Sequence, residues 1–160
     1  GDMFRAEMGQ NTPLGLEAKS YIEKGELVPD TVTIGMLQNK VDANPGVKGF
    51  IFDGFPRTVP QSEALDNFLR GRNSAITALV MLEVPDDELI KRLLERGKVS
   101  GRADDANEEV IKNRIQVYKN ETNPVFDFYG AQGKAIRVHG VGSIEEIYER
   151  LCQTIDDVLE

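Results

Sequence analysis

The residues best suited to chemistry in this sequence are acids and arginines. Asp53-Gly54-Phe55-Pro56-Arg57-Thr58 follows directly on the apolar run Gly49-Phe50-Ile51-Phe52. An acid at the end of a buried strand can face a hydrated metal ion. Gly54 beside it lets backbone approach a ligand, and Arg57 can fork onto a phosphate. The same residues would also serve as a common Asp-Gly turn bearing a surface arginine, and spacing alone leaves both readings open. A second cluster holds Arg92, Arg96, Arg102 and Arg114 beside Asp104 and Asp105. Arg114 falls inside the stripe Val110, Ile111, Val117, Tyr118, where a permanent charge is costly without an anionic partner. The alternative is a stem that packs while the head reaches water. Arg92 and Arg96, at i and i+4, border an apolar face. Taken singly they read as solvated charges; with the neighbouring acids they read as a site for a polyanion with acidic hinge contacts.

Composition removes most other chemistries. His139 is the single histidine and Cys152 the single cysteine, so serine–histidine, cysteine–histidine and cysteine-caged metal sites have no residues to build them. A lone cysteine fits a reducing compartment, and Cys152 is expected to act as a small buried hydrophobe. His139 follows a strand and reads as a loop residue. The net charge of −8 on 160 residues disfavours nucleic acid and anionic membrane as partners. No apolar run approaches the roughly 18–20 residues of a membrane span, and Gly1 to Arg5 lacks the layout of a secretion signal.

Helices and strands must position these side chains. Thr12-Pro13 predicts a capped helix running to Gly25. Asp30 is expected to cap a second helix through Val32, Met36, Leu37 and Val41, ended by Asn44-Pro45-Gly46. Gly49 to Phe52 predicts a strand buried on both faces, with a helix through Ala64, Leu65, Phe68 and Leu69 after it. A second buried strand is predicted over Ala75 to Val84. Pro85-Asp86 then opens a helix that should stop at Gly97, followed by a polar loop from Val99 to Ala106. Helices follow over Asn107 to Tyr118 and about Glu121 to Gly130, then a strand over Ala135 to His139. Ser143-Ile144-Glu145-Glu146 has capping-box spacing for the last helix. Met3, Met8, Tyr118 and Phe126 are expected in the core. Buried strands alternating with helices predict a single-domain α/β fold, a parallel sheet with helices on both faces. Ligands would bind beyond the carboxyl ends of its strands, near Asp53 to Arg57 and the turn Gly140-Val141-Gly142.

Gly1-Asp2-Met3-Phe4-Arg5, Gly25 to Asp30, Gly49 to Gln61, Gly101-Arg102-Ala103-Asp104-Asp105 and Gly140 to Ser143 resemble, in order, the motifs of the adenylate kinase branch of the nucleoside monophosphate kinases. The resemblance spans nearly the whole chain, and Asp-Gly-Phe-Pro-Arg-Thr-Val-Pro-Gln is its most specific part. It implies reversible transfer between ATP and AMP to give two ADP, with Mg²⁺ accompanying ATP. Arg5, Arg57, the backbone of Glu26, Leu27 and Val28, and Gly54, Phe55 and Pro56 would then surround AMP, with Gln61 on the adenine edge. Arg92 and Arg96 would bind ATP phosphates, and Arg102 and Arg114 would clamp the phosphates in transit. The Gly142 backbone would lie by the ATP base. Asp53 would order water around Mg²⁺ with no direct ligand to the metal, and Asp104 and Asp105 would help close a short lid at about 97–107. About 1–29 would form the AMP-binding helices and the remainder the core of one domain. The resemblance further implies a cytoplasmic monomer.

One departure from the family stands out. No stretch matches G-x-x-x-x-G-K-[ST]: Gly97-Lys98 and Gly133-Lys134 are followed by Val99 and Ala135. Family members begin with a central strand, that loop and a helix, so the sequence is expected to be part of a longer protein, inactive as these 160 residues alone. Two other readings remain. A UMP/CMP kinase is disfavoured by Gln61, where pyrimidine kinases typically carry asparagines. A catalytically inactive AMP-binding fragment has the absent loop as its argument.

Overall fold

The computed structural model describes residues 2–24, 28–101, 105 and 107–160. The chain forms two compact units, one of Gly1–Pro56 with Pro60–Ser74, the other of Arg57–Val59 with Ala75–Glu160.

The first unit is helical. Helix α1 spans Asp2–Gly9, α2 Pro13–Glu23, α3 Asp30–Asp42 and α4 Val59–Arg70, whose first residue lies at the unit boundary. Between α1 and α2 the chain reverses at Asn11, whose φ of 51° is tolerated by an Asn side chain. Thr12 caps α2 as expected, its hydroxyl accepting from the Gly15 amide at 3.1 Å. A Cβ on Gly15 would lie 2.1 Å from the Glu7 carbonyl oxygen, so glycine is what allows α2 to start so close to α1. Ala18, Val32 and Met36 are buried between the helices, with Met3, Phe4, Leu14 and Val28 packed on them. A fully buried Val or Met side chain contributes roughly 1.5–3 kcal/mol. Asp30 does not cap α3: Pro29 holds the N-cap position, and Asp30 lies in the first turn, where its charge complements the helix dipole.

The expected strand over Gly49 to Phe52 is not formed. The run joins no ladder among the described residues, and Ile51 is 89% exposed. A continuous apolar run matches a strand buried on both faces, but pattern alone does not supply the neighbours that a parallel strand requires.

The second unit carries the sheet. Strands β1, Leu79–Glu83, and β2, Ala135–His139, pair in parallel with Leu79 opposite Ala135 and Glu83 opposite His139. The strand expected over Ala75 to Val84 is shortened to the five residues β2 can pair. The crossover from β1 to β2 runs through α5 (Asp86–Ser100), α6 (Glu108–Val117), a π-helical turn (Tyr118–Thr122) and α7 (Asn123–Gly130); α8 (Ile144–Leu159) closes the chain. Acidic Asp86, Asp87 and Glu88 in the first turn of α5 suit its N-terminus. Asn107 caps α6 by accepting from the Glu109 amide at 2.8 Å. The capping box is complete: Ser143 Oγ accepts from the Glu146 amide at 3.1 Å, and the Ser143 amide donates to Glu146 Oε2 at 2.7 Å. Helices α7 and α8 both pack on β2, burying Val125, Tyr129 and Val138. The fold is a predominantly helical α/β arrangement with a small parallel sheet. Among the described residues no helix is long and apolar enough to cross a membrane.

Candidate active site

The most informative cluster lies where α5 and α6 pack together. Asp105 is one of the two buried polar residues among those described, with no solvent exposure. Its carboxylate is divided between two guanidinium groups: Arg96 Nε donates to Oδ2 at 2.6 Å and Arg114 Nη1 donates to Oδ1 at 2.7 Å. The arginine side chains are 44% and 42% exposed, so the acid is interior while both cations face outward. The Arg96 hydrogen bond, followed by that from Arg114, holds the Asp105 carboxyl below its ordinary value against the opposing effect of burial.

Two sequence expectations change here. Gly97 does not stop α5, which continues to Ser100 and ends on Gly101 at φ 64°. Gly97 instead seats Asp105: a Cβ there would lie 2.5 Å from the Asp105 carbonyl oxygen. The apolar stripe around Arg114 is also not a buried face. Ile111 is buried, but Val110, Val117 and Tyr118 are exposed, so Tyr118 is not core. What satisfies Arg114 is the carboxylate nine residues upstream, a contact between two elements that helical periodicity along α6 does not reveal.

Other expected residues of this unit are held in place by local partners. Arg92 Nε donates to Glu88 Oε1 at 2.9 Å, one turn back on α5. Arg57 belongs to this unit and Asp53 to Pro56 to the other, and the Arg57 carbonyl accepts from the Thr122 hydroxyl at 2.9 Å. The turn after β2 is built tightly. Gly140 donates to the Glu83 carbonyl at 2.9 Å, and Arg150 Nη1 donates to the carbonyls of His139 at 3.0 Å and Val141 at 2.7 Å. Gly142 has a φ of 135°, and a Cβ on it would fall 2.5 Å from Glu146 Oε2. His139 is exposed and Cys152 half-buried.

In the first unit, Asp53 and Gly54 are exposed, Gly54 has a φ of 75°, and the Phe55–Pro56 bond is cis. Gln61 Nε2 donates to Asp30 Oδ1 at 2.9 Å, which fixes which end of the amide faces α3. Arg5 pairs with Asp2 at the start of α1. Val28 packs on the helical core. Glu26, Leu27, Arg102 and Asp104 lie outside the described residues. Among the described residues no group of three or more His, Cys, Asp or Glu side chains is arranged to hold a metal ion.

The structure therefore unites Arg96, Asp105 and Arg114, and places Arg57, Arg92 and Gly142 in the same unit. Asp53, Gly54, Phe55, Pro56 and Gln61 stand in the other unit with Arg5 and Val28. Gly97, Glu88, Thr122 and Asp30 were not singled out by sequence reasoning as site residues. For Gly97 the available signal was its place between charged residues rather than before a loop; Glu88 sits at the i−4 spacing from Arg92 that predicts an ion pair.

A sequence profile of the adenylate kinase family matches residues 1–134. The chain belongs to the adenylate kinase family. It is 50% identical to an adenylate kinase of Parabacteroides distasonis over 158 residues, 99% of this chain and 83% of the relative. An adenylate kinase of Flavobacterium psychrophilum is 49% identical over the same shares. One of Leptospira biflexa is 45% identical over 97% of this chain and 83% of its own. Membership in the adenylate kinase family makes the protein a nucleotide phosphotransferase.

Proposed function

We propose that the protein transfers a phosphoryl group reversibly between ATP and AMP, giving two ADP, with arginines as its phosphate-handling groups. The observation that supports this reading best is the Asp105 bridge. One buried carboxylate holds two guanidinium groups from different helices, with bonds of 2.6 and 2.7 Å, so the two cations are fixed side by side around it. A phosphoryl group in transfer spreads negative charge over its oxygens, and fixed cations stabilise that charge without a strong general base.

In this reading Arg96 and Arg92 hold the ATP phosphates, while Arg114 and Arg102 follow the group in flight. Arg57 and Arg5 hold the AMP phosphate with the backbone of Glu26 to Val28. Arg92 and Arg5 each exchange a carboxylate, Glu88 or Asp2, for a phosphate when substrate binds. Gln61, oriented by Asp30, presents its amide to the adenine of AMP beside Gly54, Phe55 and Pro56. The Gly142 backbone lies by the donor base, and Asp104 and Asp105 act in lid closure, which excludes water. Mg²⁺ supplies charge neutralisation on the phosphates. The exposed carboxylate of Asp53 would contact the ion through its water shell. The single cysteine suits a reducing cytoplasm.

The test is Arg114→Ala in the full-length protein. Loss of a transition-state charge partner should lower kcat by on the order of 10²-fold or more. A kcat within threefold of wild type would make Arg114 a structural residue and require the clamp to be redrawn.

A further inference from the structure

From the geometry of the π-helical turn we infer that Thr122 is a positioning residue for Arg57, tying the backbone of the acceptor-phosphate arginine to the rod that carries Arg114. The inference rests on Arg57 as an AMP-phosphate group, as proposed above.

Helices α6 and α7 are not separate rods. Tyr118 and Thr122, at the joints, keep right-handed helical dihedrals, so residues Glu108 to Gly130 form one continuous helix interrupted by a π turn at Tyr118–Thr122. In an unbroken α-helix, a residue eight positions after Arg114 is turned about 80° away from it. A π turn accommodates one extra residue, which brings Thr122 back to within about 20° of the Arg114 side. The interruption thus places the Thr122 hydroxyl on the side of the rod that carries the catalytic arginine.

Because the helix runs on through Thr122, there is no helix start here for its hydroxyl to cap, and it makes no capping bond. It donates instead to the carbonyl of Arg57, 65 residues earlier, at 2.9 Å. The contact has a counterpart in the division of the chain, since Arg57–Val59 belong to the second unit while Pro56 and Pro60 on either side belong to the first. The segment is a short excursion with Thr122 bonded at its first residue. Arg57 thereby shares a unit with Arg96, Asp105 and Arg114, and Gln61 does not. Thr122 acts through the Arg57 backbone.

The test compares Thr122→Val, which keeps shape and removes the donor, with Thr122→Ser, which restores it, and with Arg57→Ala, all in the full-length protein. Thr122→Val should raise the KM for AMP by about 2- to 10-fold, the worth of one hydrogen bond. The KM for ATP should be unchanged, the urea midpoint should fall by no more than about 0.7 M for the one lost hydrogen bond, and Thr122→Ser should return the AMP value to within twofold. The ¹⁵N shift of the Thr58 amide, which shares its peptide group with the Arg57 carbonyl, should move in the valine variant and return in the serine variant. If Arg57→Ala weakens AMP and Thr122→Val does not, the positioning role is overturned while the reading of Arg57 stands. If Arg57→Ala leaves AMP unaffected, that reading fails and this inference fails with it. Equal losses for AMP and ATP together with a urea midpoint lowered by more than about 0.7 M would make Thr122 a purely structural brace and overturn the inference.

Discussion

Asp105→Asn changes one charge and almost no volume, and the structure sets what it should cost. The native carboxylate accepts from Arg96 at 2.6 Å and from Arg114 at 2.7 Å while wholly buried. An asparagine can accept from one of them, but its amide nitrogen then meets the other guanidinium donor to donor. One charge-assisted hydrogen bond is lost, worth about 1.5–3 kcal/mol. Two effects reduce that figure: a neutral amide is cheaper to bury than a carboxylate, and the released guanidinium is exposed enough for water to receive it. The expected destabilisation is about 1–2 kcal/mol. With a urea m-value of about 2 kcal/mol/M, the midpoint falls by about 0.5–1 M. Because the two arginines also lose their common anchor, kcat should fall by roughly 10-fold, less than for Arg114→Ala. The linkage sign provides an internal control. The folded carboxyl is held below its ordinary value, so its stabilisation is complete above about pH 4, the ordinary carboxylate region, and is lost as pH falls through the lower folded value. Wild type and variant should therefore converge in stability under strong acid and stay apart from pH 5 upward. A variant with an unchanged midpoint and unchanged kcat at pH 7 would refute the view that Asp105 sets the two arginines.

Two further outcomes are expected. With Gln61 reading adenine, a pyrimidine leaves the amide unsatisfied at roughly 1–3 kcal/mol, so kcat/KM should favour AMP over CMP by about 5- to 150-fold; comparable values would remove the adenine assignment. Gly97→Ala places a methyl group 2.5 Å from the Asp105 carbonyl, which should destabilise by about 1–3 kcal/mol and lower kcat in the manner of Asp105→Asn, whereas a chemical-denaturation curve superimposable on wild type would mean that α5 and Asp105 do not meet as described.

What was legible in the sequence was local chemistry. The Ser143 and Thr12 caps and the strand Ala135–His139 follow from side-chain type and short-range spacing, and they stand where expected. Contacts between elements were less legible. Gly49 to Phe52 has a strand's composition, but pairing depends on partners that composition does not name. Gly97 has a helix stop's identity, yet its role comes from the approach of Asp105 eight residues later. Helix α1 was implied by the family resemblance alone, because Met3 and Phe4 give too short an apolar pattern in its eight residues to declare a period. The π turn escaped for a related reason: an extra residue within a helix leaves no composition signature, although it governs where Thr122 points. At the site, Arg96 and Arg114 were recognisable as phosphate candidates from their company of arginines and acids. Their common partner was not, because an acid in a polar loop looks solvated until the fold buries it.

The most direct test of the central claim is to follow ATP and AMP with the full-length protein and Mg²⁺ by ³¹P NMR. The account predicts that both are consumed in equal amounts while ADP appears at twice that rate, that the same mixture of the three nucleotides is reached starting from ADP, and that Arg114→Ala slows both directions alike. Phosphate release from ATP without AMP consumption, or transfer to CMP in preference to AMP, would contradict it.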